Sequence, residues 1–315
     1  MLTLRPPWAL TFKRTERRIV RKGIRNWGPP LLLVSPTIII LGIFVYGLIA
    51  ANIAVSTTNR HSLSPESEFV GLENYLALLS EDRFLHSLFN LVMFTVVFIA
   101  GTMLFGFIWA WMLDKGVSAE GVFRSVFLFP MAISFVASGV VWRWLLNSAE
   151  GDRASGLNRI FESLGLGFLQ NAWWNEPIWG MAAIAMPAIW QLSGYVMALF
   201  LAGFRGVPQE LREAARMDGA SEWKLYRFVV FPQLSPIALS ALIIVSHMSL
   251  KVFDLIMSVT GSIYQTEVPA TYMWVTLTSN DYAKSATIAT ILLLLASLFI
   301  IPYLIQTWRS EKATR

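Results

Sequence analysis

Six long apolar runs alternate with polar segments along the chain. The runs cover residues 31–54, 87–113, 122–146, 178–204, 228–260 and 286–307. A helix needs about 20 apolar residues to cross a bilayer core of about 30 Å, and each run reaches that length. The pattern therefore predicts an all-α integral membrane protein with six transmembrane helices. The fifth run is the least regular, because Lys251 and Asp254 interrupt it.

Composition favours a membrane protein and excludes several soluble classes. Hydrophobic residues make up 55% of the 315 residues and charged residues only 14%, whereas soluble domains carry about 25% charged residues. The chain has no cysteine, which excludes disulfides, thiolate metal sites and a thiol nucleophile. The formal net charge of +5 is spread over the segments between the runs, so it does not indicate a nucleic-acid partner.

The distribution of Lys and Arg predicts the orientation. Eighteen of the 25 basic residues lie in the two tails and in the segments after the second and fourth runs, with Arg124 at the start of the third run counted among them. Six lie in the other segments or, like Arg143, at the outer edge of a run. Basic residues concentrate in cytoplasmic loops, so we expect both termini to be cytoplasmic. This gives a basic tail over residues 1–27, expected to lie against anionic lipid headgroups, a membrane domain over 28–308 and a second tail over 309–315.

The polar segment after the fourth run, at about residues 205–236, carries clear helix signals. Pro208 suits the first turn of a helix, and Gly219 suits the left-handed residue that ends one. The sequence predicts a short helix over residues 208–218, joined by a tight turn to a second helix that begins near Ser221.

Small residues on the short helix predict a surface that a partner can approach closely. The residues at i, i+3, i+4 and i+7 spacing, which share a helix face, are Leu211, Ala214, Ala215 and Asp218. The two adjacent alanines make this face thin. An ordinary connector in the membrane interface would show the same periodicity.

The same segment resembles the EAA loop of ABC importer permeases. The resemblance is carried by Glu213-Ala-Ala, by Asp218-Gly-Ala and by Phe231-Pro, where Phe replaces the family's usual Leu. It implies a type I ABC importer transmembrane domain with a cytoplasmic coupling helix between spans four and five. The residues that it implies for coupling to an ATPase are Glu213, Ala214, Ala215, Asp218 and Gly219.

Other segments resemble the carbohydrate branch of this family, whose subunits are similar to the maltose and glycerol-phosphate permeases. Val70-Gly-Leu-Glu-Asn-Tyr resembles the branch's outer loop, and Val141-Trp-Arg-Trp-Leu-Leu-Asn resembles the third-span exit of the larger partner. Lys251-Val-Phe-Asp-Leu-Ile and Thr260-Gly resemble its fifth span. Ser262-Ile-Tyr departs from the usual Gly-Gly-Pro. The resemblance implies a sugar or sugar-like solute.

The resemblance also implies a complex in the cytoplasmic or inner membrane of a bacterium or archaeon. The implied partners are a second permease subunit, two ATPase subunits that bind ATP and Mg, and a periplasmic or lipid-anchored solute-binding protein. The sequence has no Gly-x-x-x-x-Gly-Lys-Ser/Thr loop, so we do not expect the chain to hydrolyse ATP. We expect no bound cofactor and no metal.

Polar and aromatic residues within the apolar runs are candidates for solute contact, because polar groups at bilayer depth are costly. Gln191 and Tyr195 are four residues apart in the fourth run, beside Trp190. Amide and hydroxyl groups hydrogen-bond sugar hydroxyls, and an aromatic ring covers the apolar face of a sugar. In the fifth run the resemblance adds Met248, Ser249 and Val252. Hydrogen bonding between helices is the alternative role for each polar residue.

Lys251 and Asp254 are predicted to form an internal ion pair, although Lys251 is also the candidate to bind an anionic solute.

Two rival classes, an intramembrane enzyme and an ATP-independent carrier, find less support in the sequence. Ser246 and His247 are adjacent, so they point apart on a helix, and no third partner suggests an intramembrane enzyme. The threefold Pro-x-acid-x-x-basic motif of mitochondrial carriers does not occur. A test of whether transport requires ATP would distinguish an ATP-independent carrier from an ABC importer.

Overall fold

A computed structural model describes three stretches of the chain, residues 28–61, 67–149 and 153–313. In these stretches the regular structure is helical and no strand is formed. The chain divides into two compact units, Met1–Ala51 and Asn52–Arg315. The predicted basic tail over residues 1–27 and the last two residues of the predicted C-terminal tail lie outside the described residues.

The described part of the first unit is a helix without a charged residue. Helix α1, Gly28–Leu41, continues through a π-helical turn at Gly42–Gly47 into α2, Leu48–Ser56, which extends into the second unit. Pro30–Ser56 is long and apolar enough to cross a membrane, and no side chain in its most apolar window is buried. The first predicted span is therefore confirmed as a helix of sufficient length.

The second unit contains the remaining helices. They are α3 (Glu73–Leu79), α4 (Asp82–Asp114), α5 (Glu120–Leu128), α6 (Phe135–Leu145), α7 (Gly156–Ser163), α8 (Gly180–Gly206), α9 (Gln209–Met217), α10 (Glu222–Leu225), α11 (Phe231–Gln233), α12 (Ser235–Leu250), α13 (Asp254–Val259), α14 (Pro269–Thr278) and α15 (Tyr282–Ala313).

Helices α4 and α8 form the core of the second unit. Both are long and apolar enough to cross a membrane, and α8 is the more buried of the two. Phe94 and Phe98 of α4 are buried, with ring centroids 5.5 Å apart. At Gly194 of α8, an added Cβ would overlap the carbonyl oxygen of Phe127 on α5. Only glycine therefore permits this approach of α5 to α8.

The third predicted span, residues 122–146, is broken. Helix α5 runs into a 3₁₀ turn at Phe129–Ala132, and α6 then leaves at 97°. Pro130 in the turn has no N–H to donate, which favours the break. The Ser134 hydroxyl accepts a hydrogen bond from the Ala137 N–H at 3.1 Å and caps the start of α6. The run predicted as the third span is therefore a bent pair of helices.

The fifth predicted span, residues 228–260, is also broken. It begins earlier, at α10, passes through a π-helical stretch at Tyr226–Val230, and bends by 62° between α11 and α12. Pro232 and Pro236 flank this bend, and neither can donate a backbone hydrogen bond. Helix α12 ends at Leu250, so the last residues of the predicted span form the separate helix α13.

Paired charges connect the start of α4 to α14, α15 and the segment before α14. The Arg83 guanidinium donates two hydrogen bonds, of 2.7 and 2.8 Å, to the fully buried Glu267. Lys284 lies 2.7 Å from Glu81, and the Tyr272 hydroxyl donates to the same carboxylate at 2.6 Å. Burial acts to raise the pKa of Glu81, but the hydrogen bonds from Lys284 and Tyr272 outweigh it and lower that pKa.

Candidate coupling helix and solute cavity

The short helix predicted after the fourth run is present as α9, between Gln209 and Met217. Gly219 has a φ of +77°, and the Ala220 N–H donates to the Ala215 carbonyl at 3.0 Å. This left-handed glycine and the hydrogen bond behind it form a Schellman-type end. Helix α10 begins directly after Ser221. The predicted helix, turn and second helix are confirmed, with end points one residue from those expected.

The side chains of α9 divide between an inner and an outer face. Ala215 packs against the hydrophobic core, and the Arg212 side chain points inward with it. Glu213, Ala214 and Asp218 are exposed, and Met217 is 88% exposed. The four residues predicted to share one face therefore do not share one environment, because Ala215 belongs to the inner face. The Gln209 amide donates to Glu213 at 3.3 Å, a local contact within the helix.

A buried ion pair, which the sequence analysis did not identify, holds α9 to the end of α4. We call the group Arg212, Asp114 and Tyr226 the α9 anchor. Arg212 lies 3.0 Å from Asp114, and these side chains are only 12% and 6% exposed. Arg212 also donates to the carbonyl of Phe204 at 2.6 Å, and the Tyr226 hydroxyl donates to Asp114 at 2.8 Å.

The α9 anchor joins three separate parts of the chain. Asp114 ends α4, Arg212 lies in α9, and Tyr226 follows α10. Burial alone would lower the pKa of Arg212, but its hydrogen bond and charge interaction with Asp114 raise it, so the guanidinium stays charged. The sequence signal for this ion pair was Asp114, an acidic residue directly after the second apolar run. The sequence pattern does not indicate which arginine would pair with it.

A cavity of about 220 Å³ lies between α4, α6, α8 and the break after α12. Of the predicted solute contacts, Met248 and Val252 line it. The other lining residues are Phe94, Phe98, Phe135, Ala188, Leu192, Lys251, Asp254 and Leu255. The cavity thus combines aromatic rings with two charged side chains.

The predicted ion pair between Lys251 and Asp254 is wrong. Both side chains are exposed, and no pair within 4.0 Å joins them among the ion pairs of the described residues. The prediction assumed a continuous helix, in which residues three apart are neighbours. The helix instead ends at Leu250, and a break separates the two charges.

The other predicted solute contacts lie outside the lining of this cavity. The Gln191 amide donates to the carbonyl of Ile133, and the buried Gln191 carbonyl oxygen has no partner in the described part of the chain. Ser249 is buried, donates to the Ser246 carbonyl at 2.7 Å and accepts from Thr95 at 3.1 Å.

Two aromatic residues among the predicted contacts also lie elsewhere. Trp190 lines a second cavity, of about 250 Å³, together with Trp109 and Phe105. Tyr195 is partly buried and packs against the hydrophobic core. The structure therefore brings Met248 and Val252 together and separates them from Trp190 and Tyr195.

The phenylalanines of the cavity wall were not among the predicted solute contacts. Phe94 and Phe98 belong to α4, and Phe135 begins α6. Phenylalanine is common in apolar runs, so only the tertiary arrangement distinguishes these three from the rest. Ser246, considered for catalysis, donates to the carbonyl of Leu242 at 2.7 Å.

The helical architecture and the EAA-like loop define a class of membrane transport protein. Residues 82–314 match the family described as the binding-protein-dependent transport system inner membrane component. The chain belongs to this family of ABC importer permeases, in which the permease is a non-catalytic membrane subunit.

Several curated proteins are similar over most of the chain. A probable ABC transporter permease of Pyrococcus horikoshii is 39% identical over 90% of this chain and 96% of its own. The xylose/arabinose import permease XacH of Haloferax volcanii is 33% identical over 90% and 87%. The trehalose/maltose transport permease MalF of Thermococcus litoralis is 31% identical over 73% and 76%.

A solved structure shares the fold. It is a bacterial alginate ABC transporter in complex with an alginate pentasaccharide-bound periplasmic protein. One of its chains superposes with a TM-score of 0.73 at 20% identity, over 90% of this chain and 94% of that one. The likeness shows the type I ABC permease fold.

Proposed function

We propose that this chain is one of two permease subunits in an ATP-driven, binding-protein-dependent importer of a sugar or sugar-like solute. The observation that carries this is α9 with its Gly219 turn, which places the EAA-like residues on an exposed helix within the family region. Relatives named for xylose/arabinose and trehalose/maltose transport support the solute class.

The proposed topology has six spans with both termini in the cytoplasm of a bacterium or archaeon. Three described helices are long and apolar enough to cross a membrane, and the bent pairs α5–α6 and α10–α12 supply two more candidates. In this proposal the sixth span is α15, in which Tyr282–Leu298 is an apolar helix shorter than the other candidates. The excess of Lys and Arg in the tails and in the α9 segment supports the orientation.

In this proposal, α9 is the coupling helix. Glu213, Ala214 and Asp218 are exposed and would enter a groove on one of two ATPase subunits, while Gly219 shapes the turn. Ala215 contacts the permease side instead. Motion of the ATPase would reach α4 through the α9 anchor, because Arg212 is bonded to Asp114.

Co-purification with the proposed partners tests this function. The complex is isolated in detergent with wild type or Gly219→Asp, and ATPase activity is measured in nanodiscs with the binding protein. The matched control is Gly116→Asp, since Gly116 and Gly219 have φ of +83° and +77° and open space at the Cβ position. A left-handed non-glycine residue costs about 1–2 kcal/mol at both sites.

We expect Gly219→Asp to lose the ATPase subunits or the stimulation by the binding protein, and Gly116→Asp to retain both. Solute uptake by the purified chain without ATP would contradict the proposal and favour an ATP-independent carrier. Equal effects of the two substitutions would mean that backbone strain, and not the coupling surface, causes the loss.

For the solute pathway, we propose that Met248 and Val252 contact the solute, together with the phenyl rings of the same cavity. Gln191 and Ser249 connect neighbouring segments instead, through the bond from Gln191 to Ile133 and the bond that Ser249 accepts from Thr95 of α4. Trp190 and Tyr195 lie outside the lining of this cavity, Trp190 in the second cavity and Tyr195 against the hydrophobic core.

A further inference from the structure

Two charged side chains of opposite sign line the 220 Å³ cavity. Lys251 follows the last residue of α12, and Asp254 begins α13. Both are exposed, and neither has an ionic partner within 4.0 Å among the described residues. By contrast, Arg83 and Lys284 are each paired with a carboxylate.

Unpaired charges beside a cavity that is otherwise lined by apolar side chains need a reason. A charge inside a membrane protein is costly and marks a solute or ion pathway by default. Here the helix breaks between the two residues, so both charges face the cavity instead of lying along one helix. This break would serve no purpose for a structural ion pair, which a continuous helix would bring together more simply.

The chemistry of the lining suits a hydroxylated ring. An ammonium group donates hydrogen bonds only, and a carboxylate accepts them only, whereas a hydroxyl does both. Phe94, Phe98 and Phe135 add apolar surface for the C–H faces of such a ring. One positive and one negative group give the lining no net charge.

We infer that Lys251 and Asp254 form a charge-balanced solute site that takes an uncharged, polyhydroxylated solute and disfavours anionic ones such as sugar phosphates. This rests on the proposed function and narrows its solute class. A phosphate ester would gain from Lys251 but would also meet the carboxylate of Asp254, and such repulsion is an effective way to exclude a competitor.

The absence of cysteine allows a direct test. The substitution Met248→Cys places the only thiol of this chain in the cavity lining. The complex without this substitution gives the background reaction of the other subunits. The reaction rate of the thiol is measured with two small methanethiosulfonates, the anionic ethylsulfonate and the cationic ethyltrimethylammonium. The ratio of the two rates reports the local charge. The measurement is repeated with Lys251→Gln and with Asp254→Asn added.

We expect the two rates in Met248→Cys alone to be similar once each is divided by that reagent's rate with a free thiol, because the reacting thiolate itself favours a cation. Adding Lys251→Gln should favour the cationic reagent, and adding Asp254→Asn the anionic one, each by about fivefold for a unit charge that acts over about 4 Å in water. Leu164→Cys is the control. Leu164 is 65% exposed in the polar segment before α8, outside the apolar runs and outside the cavity lining, so its ratio should not change.

Two results would overturn the inference. A strong preference of Met248→Cys for the anionic reagent, unchanged by Asp254→Asn, would show a cationic site. No reaction with either reagent would show that the second permease covers both charges. If Met248→Cys assembles poorly, Ala188→Cys in the same lining serves as the reporter instead. Assembly and ATPase stimulation of the parent complex are measured first, so failure of the proposed function is seen separately.

Discussion

The α9 anchor is expected to hold α9 in its position against α4. The perturbation is Arg212→Met, which keeps an apolar stem of similar length and removes the guanidinium. Asp114 then loses its ionic partner, and the carbonyl of Phe204 loses a donor 2.6 Å away. Tyr226 still donates to Asp114, so the carboxylate keeps one hydrogen bond.

The magnitude follows from burial. The two side chains are 12% and 6% exposed, and removing one partner of a buried ion pair costs about 3–5 kcal/mol. If the whole cost falls on the attachment of α9, its detached state becomes more populated by a factor of about 100 or more, since about 1.4 kcal/mol corresponds to tenfold. We therefore expect α9 to lose its fixed position while the apolar core stays folded.

Hydrogen exchange and ATPase assays on the complex measure this effect. Amide exchange over Gln209–Met217 should become faster in Arg212→Met, and stimulation of ATPase activity by the binding protein should fall. Asp114→Asn should act in the same direction. A double-mutant cycle of the two should give a coupling energy of about 0.5–3 kcal/mol, as for residues in one network.

A second ion pair provides the control. Arg205 lies 2.6 Å from Glu120, but the two side chains are 47% and 29% exposed. Exposed pairs contribute about 0–1 kcal/mol, so Arg205→Gln should leave exchange and stimulation nearly unchanged. The reasoning is refuted if Arg212→Met behaves like Arg205→Gln. In that case α9 is held by apolar contacts such as that of Ala215, and the ion pair adds little.

Two further predictions concern the fold. Gly194→Val should prevent folding of the chain, because the valine side chain would overlap the carbonyl of Phe127. Gly121→Val should be tolerated, because nothing lies near the Cβ position there. The yield of folded protein in detergent measures both effects. The lowered pKa of Glu81 means that its contribution to stability is complete above the ordinary value of 4.5 and is lost as pH falls through the lowered value. The melting temperature of wild type should therefore fall more than that of Glu81→Gln between about pH 5 and pH 3; equal falls would contradict this.

The class of protein and the backbone of the α9 segment could be predicted from the sequence alone. Six apolar runs of sufficient length and a low charge content predict a membrane protein, because bilayer thickness sets helix length. Pro208 and Gly219 predicted a helix between them, because their effects on the backbone are local. For the same reason, the tight turn before Ser221 was predicted correctly.

The contacts between distant side chains could not be predicted, because they depend on how the helices pack. Prolines at residues 130, 232 and 236 were visible in the sequence, but the bends of 97° and 62° depend on packing against α4 and α8. Asp114 and Arg212 are 98 residues apart, and no local pattern selects that pairing. For Lys251 and Asp254 the sequence predicted a contact that does not form, because the helix breaks between them. Local backbone preferences can be read from neighbouring residues, whereas a cavity is formed by elements whose contact depends on the whole fold.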